Sequence, residues 1–284
     1  MRRAAIGGAR LLRVRILTSL VLIGLLAVVA LVFDTLLLNA VIVLVCALAL
    51  AELLKATGLF RHRWLTVLVM AQALVIPFAR TTFVGPVILP LLFLIVFGYF
   101  LLLVTNYGKV SLASCATAFL LGLIIPLFFS SAVYIRDLHG VTQGGFYILV
   151  ALGAAWLSDT SAYFVGTLFG KRKLAPKVSP QKTIEGTLGG IVISTGLLLL
   201  LGMIYQARLG ASVNFFALAA LSPVFSVIAM LGDLTASAIK REYGVKDFGT
   251  IMPGHGGVLD RFDSVLFTLP AVYVATRYFE LITL

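Results

Sequence analysis

The residues best suited to chemistry lie between positions 232 and 264, in the sequence GDLTASAIKREYGVKDFGTIMPGHGGVLDRFDS. In a helix, Asp233, Ser237, Lys240 and Arg241 stand at i, i+4, i+7 and i+8, so they share one face. That face carries a carboxylate, a hydroxyl and two cations. Such a combination suits the binding of phosphate oxygens, directly or through a metal ion.

Two further acids follow a glycine-rich loop. Asp260 and Asp263 are three positions apart, and the spacing predicts that they share a face at the start of the last helix. A loop of this kind can bring backbone N–H groups close to an anion. Its glycines are Gly244, Gly249, Gly254, Gly256 and Gly257. Hard oxygen ligands interleaved with Lys and Arg indicate Mg²⁺ holding a polyphosphate, whereas helix caps and lipid contacts alone do not explain both kinds of residue.

The same loop contains His255 between two glycines. A single histidine can shuttle protons or bind a metal, but Mg²⁺ prefers oxygen ligands. We therefore predict that His255 donates to a phosphate or orients a carboxylate.

A second polar segment, GKRKLAPKVSPQKTIEG, covers residues 170–186. The basic residues at its start are typical of a loop that touches lipid headgroups. Ser179 before Pro180 favours a turn or a helix entry, and Thr183 and Glu185 favour the first turn of a following helix. A lysine beside hydroxyls at a helix start is a natural phosphate site, so Lys182 is predicted to bind phosphate.

Asp159 is the remaining unusual acid, because it lies inside the otherwise apolar sequence WLSDTSAYFVG. A carboxylate within a bilayer costs several kcal/mol unless it faces water or a partner. It is therefore either one half of a structural ion pair or part of the wall of a polar cavity.

The composition indicates what must position these residues. Hydrophobic residues make up 61% of the 284 residues, charged residues only 12%, and the mean hydropathy is +1.11. These values exclude an ordinary soluble domain and predict an all-α integral membrane protein. The net charge of +11 then reflects topology and anionic lipid; no basic region is long enough for a nucleic-acid-binding domain.

About nine apolar segments are long enough to be membrane helices. They are 16–33, 35–54, 64–79, 84–104, 112–134, 145–166, 187–207, 214–238 and 263–282. The first is expected to be a retained helix rather than a cleaved signal peptide. We expect one continuous membrane domain, with residues 1–140 as a lipid-facing scaffold and 141–284 carrying the catalytic motifs.

The distribution of positive charge predicts the orientation. With a cytoplasmic N-terminus, 18 of the 22 Lys and Arg residues fall on the cytoplasmic side. Both polar loops, 167–186 and 239–262, then face the cytoplasm. The protein is thus expected to be a multi-pass protein of the inner (plasma) membrane, with a polar site on the cytoplasmic side of its C-terminal half.

The chain resembles the phosphatidate cytidylyltransferase (CDP-diacylglycerol synthase) family. The family's C-terminal signature is matched in order and spacing from Ser237 through Lys240 and Arg241 to the Asp260–Asp263 pair. The other matching residues are Lys246, Asp247, Pro253, Gly254, His255, Gly256, Gly257 and Arg261. Two upstream patterns are also matched, by Asp159, Ala162 and Tyr163, and by Ser179, Pro180, Lys182, Thr183, Glu185 and Gly186. Gln181, Ile184 and Thr235 depart from the usual family residues.

The resemblance implies an enzyme that joins CTP to phosphatidic acid, with Mg²⁺ as cofactor and a homodimeric state; whether a second cation binds beside Mg²⁺ is left open. It implies Asp233 and Asp260 as metal ligands, with Asp263 as a weaker candidate. Phosphates would be held by Lys182, Lys240, Arg241 and Lys246, with Arg261 in reserve. Ser179 and Ser237 would hydrogen-bond phosphate oxygens, while Asp159 and Asp247 would shape the cavity or orient the cations.

Two other functions agree with parts of the sequence. A CTP-dependent kinase of a polyprenol or similar lipid would release CDP rather than pyrophosphate. A lipid transporter would place polar residues towards both membrane faces, whereas here they are concentrated on the predicted cytoplasmic side.

Overall fold

The computed structural model describes residues 24, 29, 32–252 and 256–283. This part of the chain is mostly helical. Its α-helices, in chain order, are α1 (Leu36–Ala56), α2 (Arg63–Val75), α3 (Ile88–Thr105), α4 (Leu112–Phe129), α5 (Ser131–Phe169), α6 (Ile184–Leu209), α7 (Phe215–Glu242) and α8 (Leu259–Thr276). Short 3₁₀ turns cover Leu59–Arg61, Ile76–Phe78 and Gly85–Val87.

Two small antiparallel sheets modify the all-α prediction. Strands β1 (Lys173–Ala175) and β2 (Ser179–Thr183) form a hairpin, and β3 (Ser212–Val213) pairs with β4 (Ile282–Thr283). Ser179 therefore starts a strand rather than a helix, because its backbone pairs with that of Ala175. The predicted helix start is correct a few residues later, at Ile184.

The chain forms two compact units. Unit 1 comprises residues 1–130 and 243–261, and within it α2 packs against α1, α3 and α4. Polar side chains inside this apolar bundle have partners. Asn39 donates to the Pro77 carbonyl at 2.7 Å, and the Tyr99 hydroxyl donates to Gln72 at 2.8 Å. Such bonds are favoured because an unpaired polar group in an apolar environment is costly.

Unit 2 comprises residues 131–242 and 262–284. Its centre is formed by α5, α6 and α7, which pack against one another. The long α5 is bent at Gly140, whose φ of 70° lies in the left-handed region that favours glycine. Ser194 of α6 and Ser226 of α7 hydrogen-bond at 2.9 Å within the buried interface.

The described residues contain five helical stretches that are long and apolar enough to cross a membrane. They are Leu36–Ala56, Gly85–Thr105, Leu112–Phe169, Ile184–Leu209 and Phe215–Glu242. Arg63–Phe78 is a shorter apolar helix. The chain is thus a membrane protein with multiple apolar helices.

Each predicted apolar segment from 35–54 to 263–282 overlaps a helix, and 112–134 and 145–166 both fall in the stretch Leu112–Phe169. Most of segment 16–33 lies outside the described residues. Nine membrane crossings therefore stay a prediction, as does the functional division at residue 140.

Candidate active site

Unit 2 brings together seven of its polar side chains, which we call the lysine–carboxylate cluster. Its members are Asp159, Lys182, Asp233, Ser237, Lys240, Asp263 and Ser264. They come from α5, β2, α7 and α8, so four elements must pack correctly to assemble the cluster. Six were predicted as site residues from the sequence; Ser264 was not.

Lys182 joins the acids of α5 and α7. Its ammonium group forms an ion pair with Asp233 and lies 3.5 Å from Oδ1 of Asp159. Burial lowers the pKa of Lys182, but the nearby carboxylates of Asp159 and Asp233 outweigh this effect, so the pKa stands above its usual range. Lys182 is therefore positively charged at neutral pH.

The start of α6 determines where Lys182 lies. Thr183 caps the helix by accepting a hydrogen bond from Gly186 N at 3.1 Å. Glu185, in the first turn, accepts from the backbone N–H groups of Lys171 and Arg172 at 3.0 and 3.1 Å. Together these bonds attach the hairpin β1–β2 to the start of α6, where Lys182 lies next to the cap residue.

Close packing of α6 on α5 brings the start of α6, and with it Lys182, near Asp159. A Cβ atom added to Gly190 would lie 2.8 Å from both Ala162 Cβ and the Ser158 carbonyl oxygen. A side chain at this position would separate the two helices. Small residues permit such approaches between membrane helices, where close packing stabilises association.

The predicted polar face of α7 is present. Ser237 lies 3.5 Å from Asp233 within the helix, and the buried Lys240 lies 4.0 Å from Oδ2 of Asp263. Arg241 is exposed, and its Nε donates to the Val178 carbonyl at 3.4 Å. Arg241 therefore borders the hairpin, whereas Lys240 belongs to the cluster.

Helix α8 completes the cluster through two adjacent residues. Ser264 donates to Asp159 at 2.8 Å, and the Ser264 amide donates to Asp263 at 2.8 Å. A Cβ atom on Gly232 would lie 2.8 Å from the Asp263 carbonyl oxygen and from the Phe267 ring. The missing side chain at Gly232 lets α8 approach α7 next to Asp233.

A small cavity opens beside Asp159 and Lys182. Its wall is part polar and part apolar: Ser158, Thr187 and Ser226 contribute hydroxyls, and Ile191 and Met230 contribute apolar surface. This observation supports the prediction that Asp159 lines a polar cavity, and Asp159 also takes part in an ion pair.

The predicted residues of the glycine loop belong to unit 1. Oδ2 of Asp260 accepts hydrogen bonds from Phe248 N at 2.9 Å and Gly257 N at 3.0 Å. Lys246, Asp247 and Arg261 are exposed. His255 lies outside the described residues. The predicted sharing of one ion by Asp233 and Asp260 stays a prediction.

The donor chemistry of the cluster fits Mg²⁺, because its carboxylate and hydroxyl oxygens are the hard ligands that this ion prefers. The described residues contain no group of three His, Cys, Asp or Glu side chains placed to hold a metal ion. At phosphate sites, Mg²⁺ is usually held by one or two carboxylates, and water and substrate phosphates complete its coordination. Within unit 2, Asp233 and Asp263 supply carboxylates of this kind, and their role as metal ligands, like that of Asp260, stays a prediction.

Three relevant residues were missed from the sequence as site residues. Ser264 directly follows Asp263, and this adjacency was the only available signal. Glu185 was recognised as a helix-start residue but not as the anchor of the hairpin. Glu52 was not singled out, although an acid in an apolar helix is costly unless it has a partner; in the structure it is buried and accepts from Val258 N and Leu259 N.

Comparison with known proteins identifies the family of the chain. The chain matches the cytidylyltransferase family over residues 13–279, and it belongs to that family. The predicted resemblance is thereby confirmed. A phosphatidate cytidylyltransferase of Bacillus subtilis (strain 168) is 44% identical over 163 residues, 57% of this chain and 58% of the relative.

Two further relatives carry the same name. The protein of Staphylococcus epidermidis (strain ATCC 12228 / FDA PCI 1200) is 47% identical and that of Staphylococcus aureus (strain COL) is 46% identical. Each match covers 133 residues, 47% of this chain and 50% of the relative. The chain thus spans about half the length of the curated relatives it matches.

Proposed function

We propose that the protein transfers CMP from CTP to phosphatidic acid, which yields CDP-diacylglycerol and pyrophosphate for phospholipid biosynthesis. The observation that carries the proposal is the lysine–carboxylate cluster, in which Lys182 and Lys240 are held among Asp159, Asp233 and Asp263. The names of the relatives support the same reaction.

In this reaction a phosphate oxygen of phosphatidic acid attacks the α-phosphorus of CTP. The new P–O bond forms as the bond from the α-phosphorus to the bridging oxygen breaks, and pyrophosphate leaves with the electron pair. The nucleophile is already an anion, so little general-base assistance is required. The main obstacles are repulsion between the two anions and the charge that develops on pyrophosphate.

The cations of the chain address both obstacles. Lys182 and Lys240 would hold phosphate oxygens and reduce the repulsion, while Ser179 and Ser237 would orient those oxygens by hydrogen bonds. Arg241, Lys246 and Arg261 would bind phosphates from more exposed positions. Asp159 and Asp247 would shape the cavity or orient the cations, and His255 would donate to a phosphate or orient a carboxylate.

Mg²⁺ is the proposed cofactor, held by Asp233 and Asp260 with Asp263 as a weaker candidate ligand; whether a second cation binds beside it is left open. When bound, it would neutralise phosphate charge and stabilise the departing pyrophosphate.

The proposed membrane arrangement has nine crossings, a cytoplasmic N-terminus and a site facing the cytoplasm, in the inner membrane. The charge asymmetry supports it, and so does the hydrogen bonding of Glu52, near the end of α1, to the 243–261 segment of the same unit. Both the end of α1 and this segment were predicted to be cytoplasmic. A homodimer is proposed from the family resemblance alone.

The test is pyrophosphate release by the purified full chain with CTP, phosphatidic acid in mixed micelles and Mg²⁺. We expect release that requires all three components and formation of CDP-diacylglycerol. Release of CDP with a polyprenol would instead support the lipid kinase. No product with properly presented lipid, together with CTP-independent lipid flux in vesicles, would support a transporter and contradict the proposal.

A further inference from the structure

Glu52 lies in an apolar helix of the predicted scaffold, yet its carboxylate accepts hydrogen bonds from the end of the glycine loop. Its two oxygens accept hydrogen bonds of 3.0 Å each from Val258 N and Leu259 N. The residue is only 3% exposed. A buried carboxylate is stable there because two donors compensate for its lost hydration.

The contact places a negative charge at the start of a helix. Leu259 is the first residue of α8, and its N–H group has no partner within the helix. An acid at this position interacts favourably with the positive end of the helix dipole. Glu52 therefore caps the start of α8, although it precedes Leu259 by 207 positions in the sequence.

The loop is also shaped to accommodate this side chain. A Cβ atom added to Gly249 or Gly257 would collide with the carboxylate of Glu52. Both glycines thus pack directly on Glu52, one near each end of the loop. Any larger residue at either position would displace the carboxylate or the backbone.

Asp260 also binds this loop, because its carboxylate accepts hydrogen bonds from Phe248 N and Gly257 N. The two carboxylates therefore bind backbone N–H groups at Phe248 and from Gly257 to Leu259. Removal of Glu52 leaves the amides of Val258 and Leu259 without their acceptors. The position of Asp260, in the first turn of α8, then depends on the remaining bonds.

We infer that Glu52 is a positioning residue for nucleotide binding: its carboxylate fixes the loop residues 248–249 and 257–259 and the start of α8, so that these residues and Asp260 engage the phosphates of CTP. The inference rests on the proposed function, because it assigns the loop to the nucleotide. Glu52 itself touches neither substrate. Its effect is transmitted through two backbone hydrogen bonds and two glycine contacts.

The test compares Glu52→Gln with Asn39→Ala in the full chain. Gln keeps the size of the side chain but offers one acceptor oxygen to two N–H groups. Asn39 is the matched control: it is a buried polar residue of the same helix that binds a backbone carbonyl, at Pro77, away from the loop. Gly249→Ala is the second variant, because it disturbs the contact while retaining the carboxylate.

We expect Glu52→Gln and Gly249→Ala to raise the KM for CTP by about 10- to 100-fold, while the KM for phosphatidic acid changes little. Hydrogen exchange at Val258 and Leu259 should accelerate in both variants. Asn39→Ala should leave the KM values and the exchange of these amides unchanged.

Unchanged exchange in Glu52→Gln would overturn the inference, and so would faster exchange with an unaltered KM for CTP. If Glu52→Gln does not fold, Gly249→Ala decides by the same criteria. A wild-type protein that makes no CDP-diacylglycerol would defeat the proposed function separately. In that case the decisive measurement is hydrogen exchange with and without Mg·CTP. If Mg·CTP protects residues 248–252 and 256–259 in the wild type but not in Glu52→Gln, the inference is supported. If the two proteins show the same protection, the inference is overturned.

Discussion

The hydroxyl of Ser264 donates a 2.8 Å hydrogen bond to Asp159, a residue 105 positions earlier in the chain. This bond links α8 to α5 and leaves the other oxygen of Asp159 facing Lys182. Ser264 is 2% exposed, so little water is present to replace it. The pair thereby fixes the orientation of the carboxylate that neighbours the cavity.

Replacing Ser264 with Ala should reduce turnover by about 5- to 10-fold, which corresponds to the loss of one hydrogen bond worth about 1 kcal/mol. The measurement is steady-state pyrophosphate release. Ser212→Ala is the control, because Ser212 is an exposed residue of the same unit. Equal rates for the two variants would show that the bond to Asp159 does not matter for catalysis.

Lys182→Met should lower turnover on the order of 10²–10³-fold, because the carboxylates of Asp159 and Asp233 lose their shared cation and the phosphates lose a donor. The free energy of unfolding should fall by about 1–3 kcal/mol. This loss is smaller than for a fully buried ion pair, since Lys182 is partly solvated. Lys177→Met, in the exposed part of the hairpin, should change neither quantity. Activity of the Lys182 variant close to wild type would refute its assigned role.

The raised pKa of Lys182 predicts a dependence of stability on alkaline pH. A group whose pKa is higher in the folded state stabilises that state fully below its unfolded pKa, and the stabilisation is lost as pH rises through the folded value. The difference in thermal unfolding midpoint between the wild type and Lys182→Met should therefore be constant up to about pH 10 and shrink above it. A difference that falls between pH 6 and 8 would point to another group.

Asp260→Asn should reduce turnover on the order of 10²–10³-fold and raise the Mg²⁺ concentration needed for half-maximal rate. The amide retains one acceptor oxygen for Phe248 N and Gly257 N, so the protein should remain folded by thermal unfolding. Asp34→Asn, at an exposed site in the same unit, serves as the control. Removal of metal by EDTA should stop the wild-type reaction, and excess Mg²⁺ should restore it. An Asp260→Asn variant with normal Mg²⁺ dependence would disprove the ligand assignment.

Gly232→Ala should lower the free energy of unfolding by about 1–3 kcal/mol and reduce activity, because the new methyl group meets the Asp263 carbonyl and Phe267. Gly196→Ala is the matched control. A Cβ atom at Gly196 has nothing within 4 Å, so this substitution should be neutral or stabilise α6 by up to about 1 kcal/mol. Similar melting temperatures for both variants would contradict the close approach of α8 to α7.

Much of the candidate site follows from local spacing. Asp233, Ser237 and Lys240 share a helix face because they follow the helical period, and they do so in the structure. The helix start after Lys182 also follows from local residues, since Thr183 is a suitable cap. The hairpin β1–β2 was not predicted, because its strands are too short and polar to show an alternating pattern.

The choice of partners could not be predicted in the same way. Lys240 pairs with Asp263, whereas Lys182 pairs with Asp233 and Asp159, and nothing in the spacing selects these combinations. They depend on how closely the helices approach at Gly190 and Gly232. The contacts of Glu52 are the hardest to predict from the sequence, because its partners are more than 200 residues away along the chain.

The amino-acid sequence alone determined the membrane character, the positions of most helices and the motifs that identify the family. Each of these depends on composition, on periodicity or on residues close together in the chain. The tertiary structure alone decided which lysine neutralises which carboxylate, that Ser264 orients Asp159, and that an acid of the first described long helix caps the last. Those relationships arise from side chains that meet only after distant helices have packed, and ion pairs and hydrogen bonds act over a few ångströms of space, whatever the separation along the chain.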